Sequence, residues 1–548
     1  MNTLSLYSKV TTLFAIWCVV VLQYYIPNMG GSGLRLPQNL IGWGVMAMLS
    51  GIIFHDRLRR RADLRYSLSF VYASVGALLL SLPLLWSPEL LWQRIALTRV
   101  LAIFGALLFF YSLTQLSLTH LQKRRWAWLI LAASTGQILF ACVQVFYPDS
   151  LSLLEFNSLR MRPHGIFQQV NVLASFLATG LLVAVWLFST TRSVIASLIL
   201  GVSVLVHGGW LLLLQSRIGW LGALVGTAGL ALVYCRRWRF ILAVAMAILG
   251  TAIAGFDMPK VFHYVDKADS NFVRLTTLKY ALMMISEHPW TGWGYGGFEH
   301  QFIRFVIGEG QLAGYRLNGI KHPHNELLLA GVEGGITALA GMAMLFIAWL
   351  KLAPLFVRQR IAVQHTAWWV MTLPIALHTM TEYPLYQSVP HIFVLVVLCR
   401  LALPEQHIRC HSSRGGHRLM SGVLLTGTFS TSLFMFSGIQ ANSVLTQTER
   451  FYLIDFHQRL EHIINPWAQA ERVEYDYYVS LLMDYNETGN SAILQVYQPW
   501  AEAYLRAHND ANTYDSLIKL YQLKGDMRNA ALYRGAAQLI FPEDRRFH

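Results

Sequence analysis

Apolar runs of about 20 residues recur along this chain, which is the length a helix needs to cross a bilayer. They begin near residue 12 and the last ends near residue 438. The chain is 55% hydrophobic and only 13% charged, whereas soluble domains carry about 25% charged residues. The sequence therefore predicts an all-α, polytopic membrane bundle with about thirteen spans. The predicted spans are 12–26, 39–54, 67–86, 95–112, 127–146, 169–189, 193–214, 218–234, 240–257, 326–350, 366–380, 388–404 and 419–438.

The formal net charge of +14 does not indicate a nucleic-acid surface, because the Lys and Arg residues are gathered in short loops between apolar runs. Short basic loops between spans are retained in the cytoplasm, which accounts for the positive charge, and we expect no nucleic-acid partner. The same bias predicts a cytoplasmic N-terminus. Four connections and the C-terminal region then fall on the outer side. The connections are 147–168, 215–217, 258–325 and 381–387.

The composition changes after the last span and predicts a second domain. We expect residues 1–438 to form the membrane domain, including the outer 258–325 segment, and residues 439–548 to form an outer helical domain. Residues 511–542 fit one tetratricopeptide-like unit, with Leu517, Tyr521 and Ala530 at the expected offsets. A plain helical domain and a partner-binding domain both fit this pattern.

Two arginines on the outer side run against the charge bias. Arg217 lies in the turn between two apolar runs, and Arg274 lies in a predicted amphipathic helix. A snorkelling end residue for Arg217 and a solvated face for Arg274 remain alternatives. Arginine also binds phosphate oxygens with two parallel hydrogen bonds, so a phosphate-binding outer face is the functional interpretation. Further outer cations are Arg94, Arg160, Arg162 and Lys321.

The stretch KHPHNELLLAG places polar residues at the start of a span. His324 could be a packed or capping residue. Alternation with His322 and Glu326 would permit a metal site, although no further outer ligands complete one. A neutral imidazole could also remove a proton from a hydroxyl group. We expect no metal and no cofactor, and we take the general base as the functional hypothesis.

Three short motifs carry a family resemblance. His324-Asn325 followed after nine residues by Gly335 resembles the signature of the O-antigen ligase and polymerase superfamily, with Ala338 as a mild departure. The segment RPHGIFQQVNV resembles a motif of bacterial protein O-oligosaccharyltransferases of the PglL type, with Val170 in place of the usual Pro. The stretch TEYPLYQ resembles the Glu-Tyr-Pro-Leu motif of the same group.

This resemblance implies a metal-independent, inverting glycosyltransferase of the bacterial inner membrane with its site and C-terminal domain facing the periplasm. The donor would be a glycan on undecaprenyl diphosphate, and the acceptor a Ser or Thr hydroxyl of a periplasmic, pilin-like protein. O-antigen ligase and O-antigen polymerase are the alternatives, and a lipid or anion transporter is a third. The catalytic residue would be His324. The substrate-binding residues would be Arg217, Arg274, Gln169, Tyr383, Asn325, Asn171 and Glu382.

Overall fold

A computed structural model describes residues 5–147, 162–261, 268–310, 317, 319–353, 360–410 and 416–548. Arg160 and parts of the 258–325 segment lie outside the described residues. The described part of the chain is helical apart from one antiparallel pair of three-residue strands, β1 (Arg65–Ser67) and β2 (Ile408–Cys410). The predicted all-α fold is confirmed.

The helices are named in chain order. Those before the predicted outer segment are α1 (Leu6–Val19), α2 (Pro37–Arg60), α3 (Leu68–Ser81), α4 (Leu90–Thr114), α5 (His120–Phe146), α6 (Val170–Thr190), α7 (Val194–Leu213), α8 (Arg217–Tyr234) and α9 (Trp238–Val261). The next are α10 (Ala268–Glu287), α11 (Phe298–Gly308), α12 (Glu326–Leu350), α13 (Arg360–Val370), α14 (Leu373–His378), α15 (Pro384–Gln387), α16 (Val389–Ala402) and α17 (Gly416–Arg450). The last are α18 (Phe456–Leu460), α19 (Ala470–Thr488), α20 (Ser491–Leu505), α21 (Ala511–Leu523) and α22 (Met527–Ile540).

Within the described ranges, 11 helices are long and apolar enough to cross a membrane. Two of the thirteen predicted spans have a different form. The run at 366–380 is divided between α13 and α14, because Pro374 cannot continue a helix from the preceding turn and instead begins a new one. The run at 388–404 is α16, with only 14 residues.

Helix α6 is the centre of the bundle. Every residue in its apolar window is buried, and α5, α7, α8, α9 and α14 pack around it. A helix that is apolar on all sides is expected in such a position. Its first turn nevertheless carries Asn171, and Ser175 follows one turn later, so α6 brings polar groups to the site end of the core.

The basic loops lie together at one end of the bundle, which we call the basic end. Strands β1 and β2 join the loop after α2 to the loop after α16. Lys123 Nζ donates to the carbonyl oxygens of Leu401 and Leu403, and Arg400 donates to the carbonyl oxygen of Leu113. The opposite end, which we call the site end, carries the loops that the sequence predicts to be on the outer side.

The C-terminal helices pack on the site end. Helices α21 and α22 form the predicted hairpin, with Leu517 and Ala537 fully buried and Gly525 in the left-handed turn between them. Their apolar core is continuous with that of α10 and α11. Arg304 of α11 donates hydrogen bonds to Asn509 and Tyr514. Helix α17 runs without a break through the expected domain boundary at residue 438.

Candidate functional site

The turn before α12 presents His324 at the site end. Pro323 prevents a helix from starting earlier, and His324 itself has a φ of 55°, in the left-handed region. Its backbone N–H donates to Nδ1 of His322 over 2.9 Å. A left-handed conformation is costly for a residue other than glycine and is often found at functional sites. The left-handed conformation of His324 turns its ring away from α12 and toward the 381–387 turn.

The imidazole of His324 is half-buried and chemically available. Neither ring nitrogen makes a hydrogen bond within the described residues, and Nδ1 is buried without a partner. Burial lowers the pKa of His324; the carboxylate of Glu382 opposes this, while His322 and Arg274 lower it further. The ring is therefore neutral near pH 7, which is the form that a general base requires.

The signature glycine has a backbone role. Helix α12 breaks at Gly335, where φ is 58° and ψ is −150°. The break leaves backbone groups of α12 without partners inside the helix, and the loop between α10 and α11 bonds to them. Ile336 N–H donates to the carbonyl oxygen of Pro289 over 2.8 Å, and Trp293 N–H donates to that of Val332 over 2.8 Å. Because only glycine adopts this conformation readily, Gly335 fixes how the first half of α12, and hence the His324 turn, meets the rest of the site end.

Glu382 collects four donors around one buried carboxylate. Its oxygens accept from Gln169 Nε2 at 2.5 Å, Asn171 Nδ2 at 2.6 Å, Arg274 at 2.8 Å and His378 Nε2 at 3.1 Å. We call this set the Glu382 network. It unites four of the residues singled out from the sequence: Gln169 and Asn171 from one motif, Glu382 from a second motif more than 200 positions later, and Arg274 from the helix between them.

The Glu382 network keeps its carboxylate ionised. Burial alone would raise the pKa of Glu382, but the hydrogen bond and charge of His378, the hydrogen bond from Gln169 and the charge of Arg274 lower it to about 2. A carboxylate that accepts several hydrogen bonds is held in its charged form. Glu382 is therefore a fixed negative charge at neutral pH and not a proton donor.

A buried chain of hydrogen bonds extends from His378, one of the partners of Glu382, into the bundle. His378 Nδ1 lies 2.8 Å from Ser175 Oγ, which lies 3.1 Å from His391 Nε2; His391 Nδ1 lies 2.8 Å from Ser388 Oγ. Ser175 Oγ also donates to the carbonyl oxygen of Val172 in its own helix, and His391 Nε2 lies 3.1 Å from the same oxygen. All of these side chains are fully or almost fully buried. The chain therefore fixes the position of His378, which contacts Glu382 directly.

Sequence reasoning missed this chain. His378 precedes Glu382 by four residues, which places both on one face if the helix continues, and Asn171 and Ser175 have the same spacing on α6. That spacing was the available signal. Which histidine would meet which serine depended on how α6, α14 and α16 pack.

The two arginines meet at α10, which contains Arg274 and whose Asn271 contacts Arg217. Arg274 pairs with Glu382 and is about two-fifths exposed. Arg217 is exposed at the start of α8 and donates to Asn271 Oδ1 over 2.6 Å; Asn271 lies one turn before Arg274. Arg217 makes no ion pair with any described residue, so its charge is available to an anionic ligand. Arg162 donates to the carbonyl oxygen of Leu214 and thereby closes the end of α7 beside them.

The remaining two predicted residues occupy different positions. Tyr383 lies against the histidines, with ring centroids 4.2 Å from His322 and 6.1 Å from His324. Asn325 caps α12: its side-chain oxygen accepts from the Leu328 N–H, and its Nδ2 donates to the carbonyl oxygen of Met380. Both ends of the Asn325 amide are thus engaged by the protein, and it joins the His324 turn to the turn that carries Glu382.

The geometry limits which residues could share a metal ion. Among the described residues, no three His, Cys, Asp or Glu side chains are grouped as metal ligands. His322 Nε2 is 3.8 Å from Glu326 Oε2, while its Nδ1 already accepts the His324 N–H. The arrangement instead combines a neutral base, a fixed carboxylate and unshared positive charge, which suits proton removal beside an anionic leaving group.

Three known protein families match the parts of the chain that contain most of the site. The family described as "O-Antigen ligase" matches residues 177–343, which include Arg217, Arg274 and His324. "Protein glycosylation ligase" matches residues 163–188, and "Virulence factor membrane-bound polymerase, C-terminal" matches residues 366–548. An O-antigen ligase from Pseudomonas aeruginosa is 29% identical over 241 residues, covering 43% of this chain and 53% of that protein. The chain thus matches about half the length of this relative.

Proposed function

Since the chain belongs to the superfamily of O-antigen ligases and protein glycosylation ligases, we propose that it is a glycosyltransferase that moves a glycan from undecaprenyl diphosphate to a hydroxyl group. The preferred acceptor is a Ser or Thr of a periplasmic, pilin-like protein. One observation carries the proposal: the neutral imidazole of His324, whose ring nitrogens make no hydrogen bond with the described residues, lies at the end of the bundle that also holds Arg217 and Arg274.

In the proposed reaction, His324 takes the proton of the acceptor hydroxyl. The acceptor oxygen forms a bond to the anomeric carbon on the face opposite the diphosphate, and the bond from that carbon to the diphosphate oxygen breaks. The configuration inverts, and undecaprenyl diphosphate leaves with the electron pair. General base assistance of this kind is worth about 10²–10⁴ in rate. No metal is required, because guanidinium groups meet the leaving group.

The arginines divide the work of binding the diphosphate. Arg217 has a neutral partner, Asn271, and can turn its full charge to a phosphate. Arg274 is held by Glu382, so it is already oriented and contributes its remaining donors without reorganisation. Preorganised charge at a developing anion is typically the largest catalytic contribution, with about 3–4 kcal/mol lost when one donor is removed.

The class of acceptor is inferred from the family matches. A protein acceptor is supported by the match of residues 163–188 to protein glycosylation ligases. A lipid A core acceptor, or another lipid-linked glycan, is supported by the O-antigen ligase match and by the relative in Pseudomonas aeruginosa. Transport is disfavoured, because transporters hold their ionisable groups near the midplane, whereas Arg217, Arg274 and His324 lie at helix ends.

His324→Asn is the decisive variant. Asparagine tolerates the left-handed backbone of residue 324, so the substitution removes the base while preserving the turn. We expect transfer to fall by about 10²–10⁴-fold with normal membrane insertion, measured by intact mass spectrometry of the acceptor. Near wild-type glycosylation would refute the general base. An unmodified protein acceptor together with altered lipopolysaccharide would move the enzyme to the O-antigen ligase branch.

Orientation is part of the same proposal, with the site end and the C-terminal helices in the periplasm. Reporter fusions after residues 300 and 545 should be periplasmic, and fusions after residues 60 and 125 should be cytoplasmic, since the end of α2 and the start of α5 are basic. A cytoplasmic reporter at 545 would separate the C-terminal helices from the acceptor.

A further inference from the structure

A half-open cavity lies at the site end, and His324 is not among the residues that line it. It has a volume of about 260 Å³ and is lined by residues from the start of α4, the first turns of α19 and the end of α20. The membrane bundle and the C-terminal helices therefore build it together. Its size is slightly below that of ordinary small-molecule sites, which begin at about 300 Å³. It can hold one small ring and not a folded segment of protein.

Polar groups without partners converge on this cavity. The phenol groups of Tyr475 and Tyr504 make no hydrogen bond with the described residues, and Arg94 and Glu474 make no ion pair with them. Burial, reinforced by Asp510 and Asp476, raises the pKa of Tyr475 to about 12, so its hydroxyl stays protonated and able to donate. The cavity thus offers donors and acceptors that the protein itself does not use.

The wall of the cavity is aromatic. Trp500 stacks on Tyr504 with ring centroids 5.0 Å apart, and Tyr475 lies 5.5 Å from Tyr504. The charged groups around the cavity balance when Arg35, just outside the lining, is included. Glu89 pairs with Arg506 at 3.6 Å and Glu471 pairs with Arg35 at 3.8 Å, while Arg94 and Glu474, which make no ion pair with the described residues, are of opposite sign.

That combination selects a class of ligand. A charged ligand gains nothing from a wall whose charges cancel, and a purely apolar ligand would leave the tyrosine, arginine and carboxylate groups unsatisfied. A neutral sugar ring fits both walls, because it presents C–H groups to aromatic faces and hydroxyls to donors and acceptors.

A series of contacts connects the His324 turn with the cavity. The ring of Tyr383 is 6.1 Å from that of His324 and 6.4 Å from that of Tyr386. Tyr386 packs against the backbone at Gly33, and Arg35, two residues later, pairs at 3.8 Å with Glu471, which lines the cavity. The cavity and the His324 turn are therefore connected through neighbouring side chains.

We propose that the cavity formed by α4, α19 and α20 binds one neutral sugar unit of the donor glycan, several units away from the diphosphate. The inference rests on the proposed function, and it assigns the C-terminal helices a part in donor recognition. It explains why these helices close against α4 and α11 instead of extending from the membrane as a free domain. The enzyme would then distinguish a completed glycan from a single lipid-linked sugar.

The test uses a double variant that should not disturb folding. Tyr475→Phe with Glu474→Gln removes one hydroxyl and one charge that have no partner among the described residues. Tyr485→Phe with Glu487→Gln is the matched control, because it makes the same changes on α19 outside the cavity. The probe is the free glycan released by mild acid from the lipid-linked pool of the source cells, bound to the full chain in detergent and measured by saturation-transfer NMR.

We expect the cavity variant to weaken binding of this glycan about tenfold, as the loss of one to two hydrogen bonds implies, while the control and His324→Asn bind as wild type does. Equal binding by cavity and control variants would overturn the proposal. Stronger binding of free core oligosaccharide from lipopolysaccharide than of the donor glycan would overturn the assignment to the donor.

A transfer assay separates this inference from the proposed function. With lipid-linked donors of one sugar and of the full glycan, the cavity variant should lose only its preference for the full glycan. If His324→Asn transfers normally while glycan binding still depends on Tyr475 and Glu474, the proposed chemistry fails and the cavity assignment stands. If transfer needs His324 but both donors react equally in wild type and variant, the cavity assignment fails alone.

Discussion

The backbone N–H of His324 donates a 2.9 Å hydrogen bond to Nδ1 of His322, two residues earlier. This bond holds the left-handed conformation that turns the His324 ring away from α12. His322 is itself fixed by its ring contact with Tyr383. His322 is therefore a positioning residue for the base, although it lies two residues before the family signature begins.

His322→Ala should lower kcat by about tenfold, the effect of losing one hydrogen bond of ordinary strength, and leave KM for the donor unchanged. His322→Asn should restore most of the activity, because an asparagine oxygen accepts the N–H two residues later in an Asx turn. Steady-state kinetics in detergent measure both. Failure of Asn to rescue would indicate that the imidazole of His322 takes part in chemistry.

Arg217→Lys should raise KM for the lipid diphosphate and lower kcat, because lysine keeps the charge but cannot bind two phosphate oxygens with a rigid fork. We expect a loss in kcat/KM of about 10²-fold or more, within the range for removing a preorganised donor. Arg192→Lys, at the exposed basic end, is the matched control. An unaffected Arg217→Lys enzyme would identify Arg217 as an ordinary helix-end residue.

The pH profile of kcat/KM should remain flat down to about pH 6.5, the ordinary pKa of histidine, and fall only below it. The pKa of His324 is lowered, mainly by burial, so the neutral base persists at lower pH than for a free imidazole. Arg274→Gln removes a positive charge that contributes to the lowering and should move the acidic limb upward. An acidic limb above pH 6.5 in the wild-type enzyme would contradict this assignment.

Gly335→Ala should destabilise the protein. An alanine Cβ would lie 2.6 Å from the carbonyl group of Trp290, at a φ of 58°. The left-handed conformation alone costs about 1–2 kcal/mol, and the clash adds to it. Gly427→Ala is the control, since a Cβ there meets no atom within 4 Å and alanine favours the helix. A lower melting temperature is expected for the first variant only, and equal melting of the two would exclude a strained kink.

Several parts of the site were predictable from the sequence because they depend on local pattern. Apolar runs set most of the helices, and basic loops indicated which connections share an end. That ordering already placed Gln169, Arg217, Arg274, His324 and Tyr383 at the same end. Where the pattern was ambiguous, around Pro374, local backbone chemistry divided one predicted span into α13 and α14.

Contacts within the site were decided by tertiary packing. The sequence predicted that Glu382 and Asn325 bind substrate. In the fold, Glu382 accepts hydrogen bonds from Gln169, Asn171 and Arg274. Asn325 caps α12. Hydrogen bonds of this kind join residues more than 100 positions apart. Their partners are selected by which helices pack side by side, and periodicity within one helix carries no information about its neighbours.

The amino-acid sequence alone determined that the chain is a membrane bundle, which end is polar, and that His324 is the candidate base, because hydrophobic period, charge bias and residue chemistry are local properties. Only the tertiary structure decided that Arg217 makes no ion pair with the described residues while Arg274 pairs with Glu382, and that the C-terminal helices complete a cavity with α4. Whether a charge is available, or a cavity closed, depends on groups that reach the same place from distant parts of the chain.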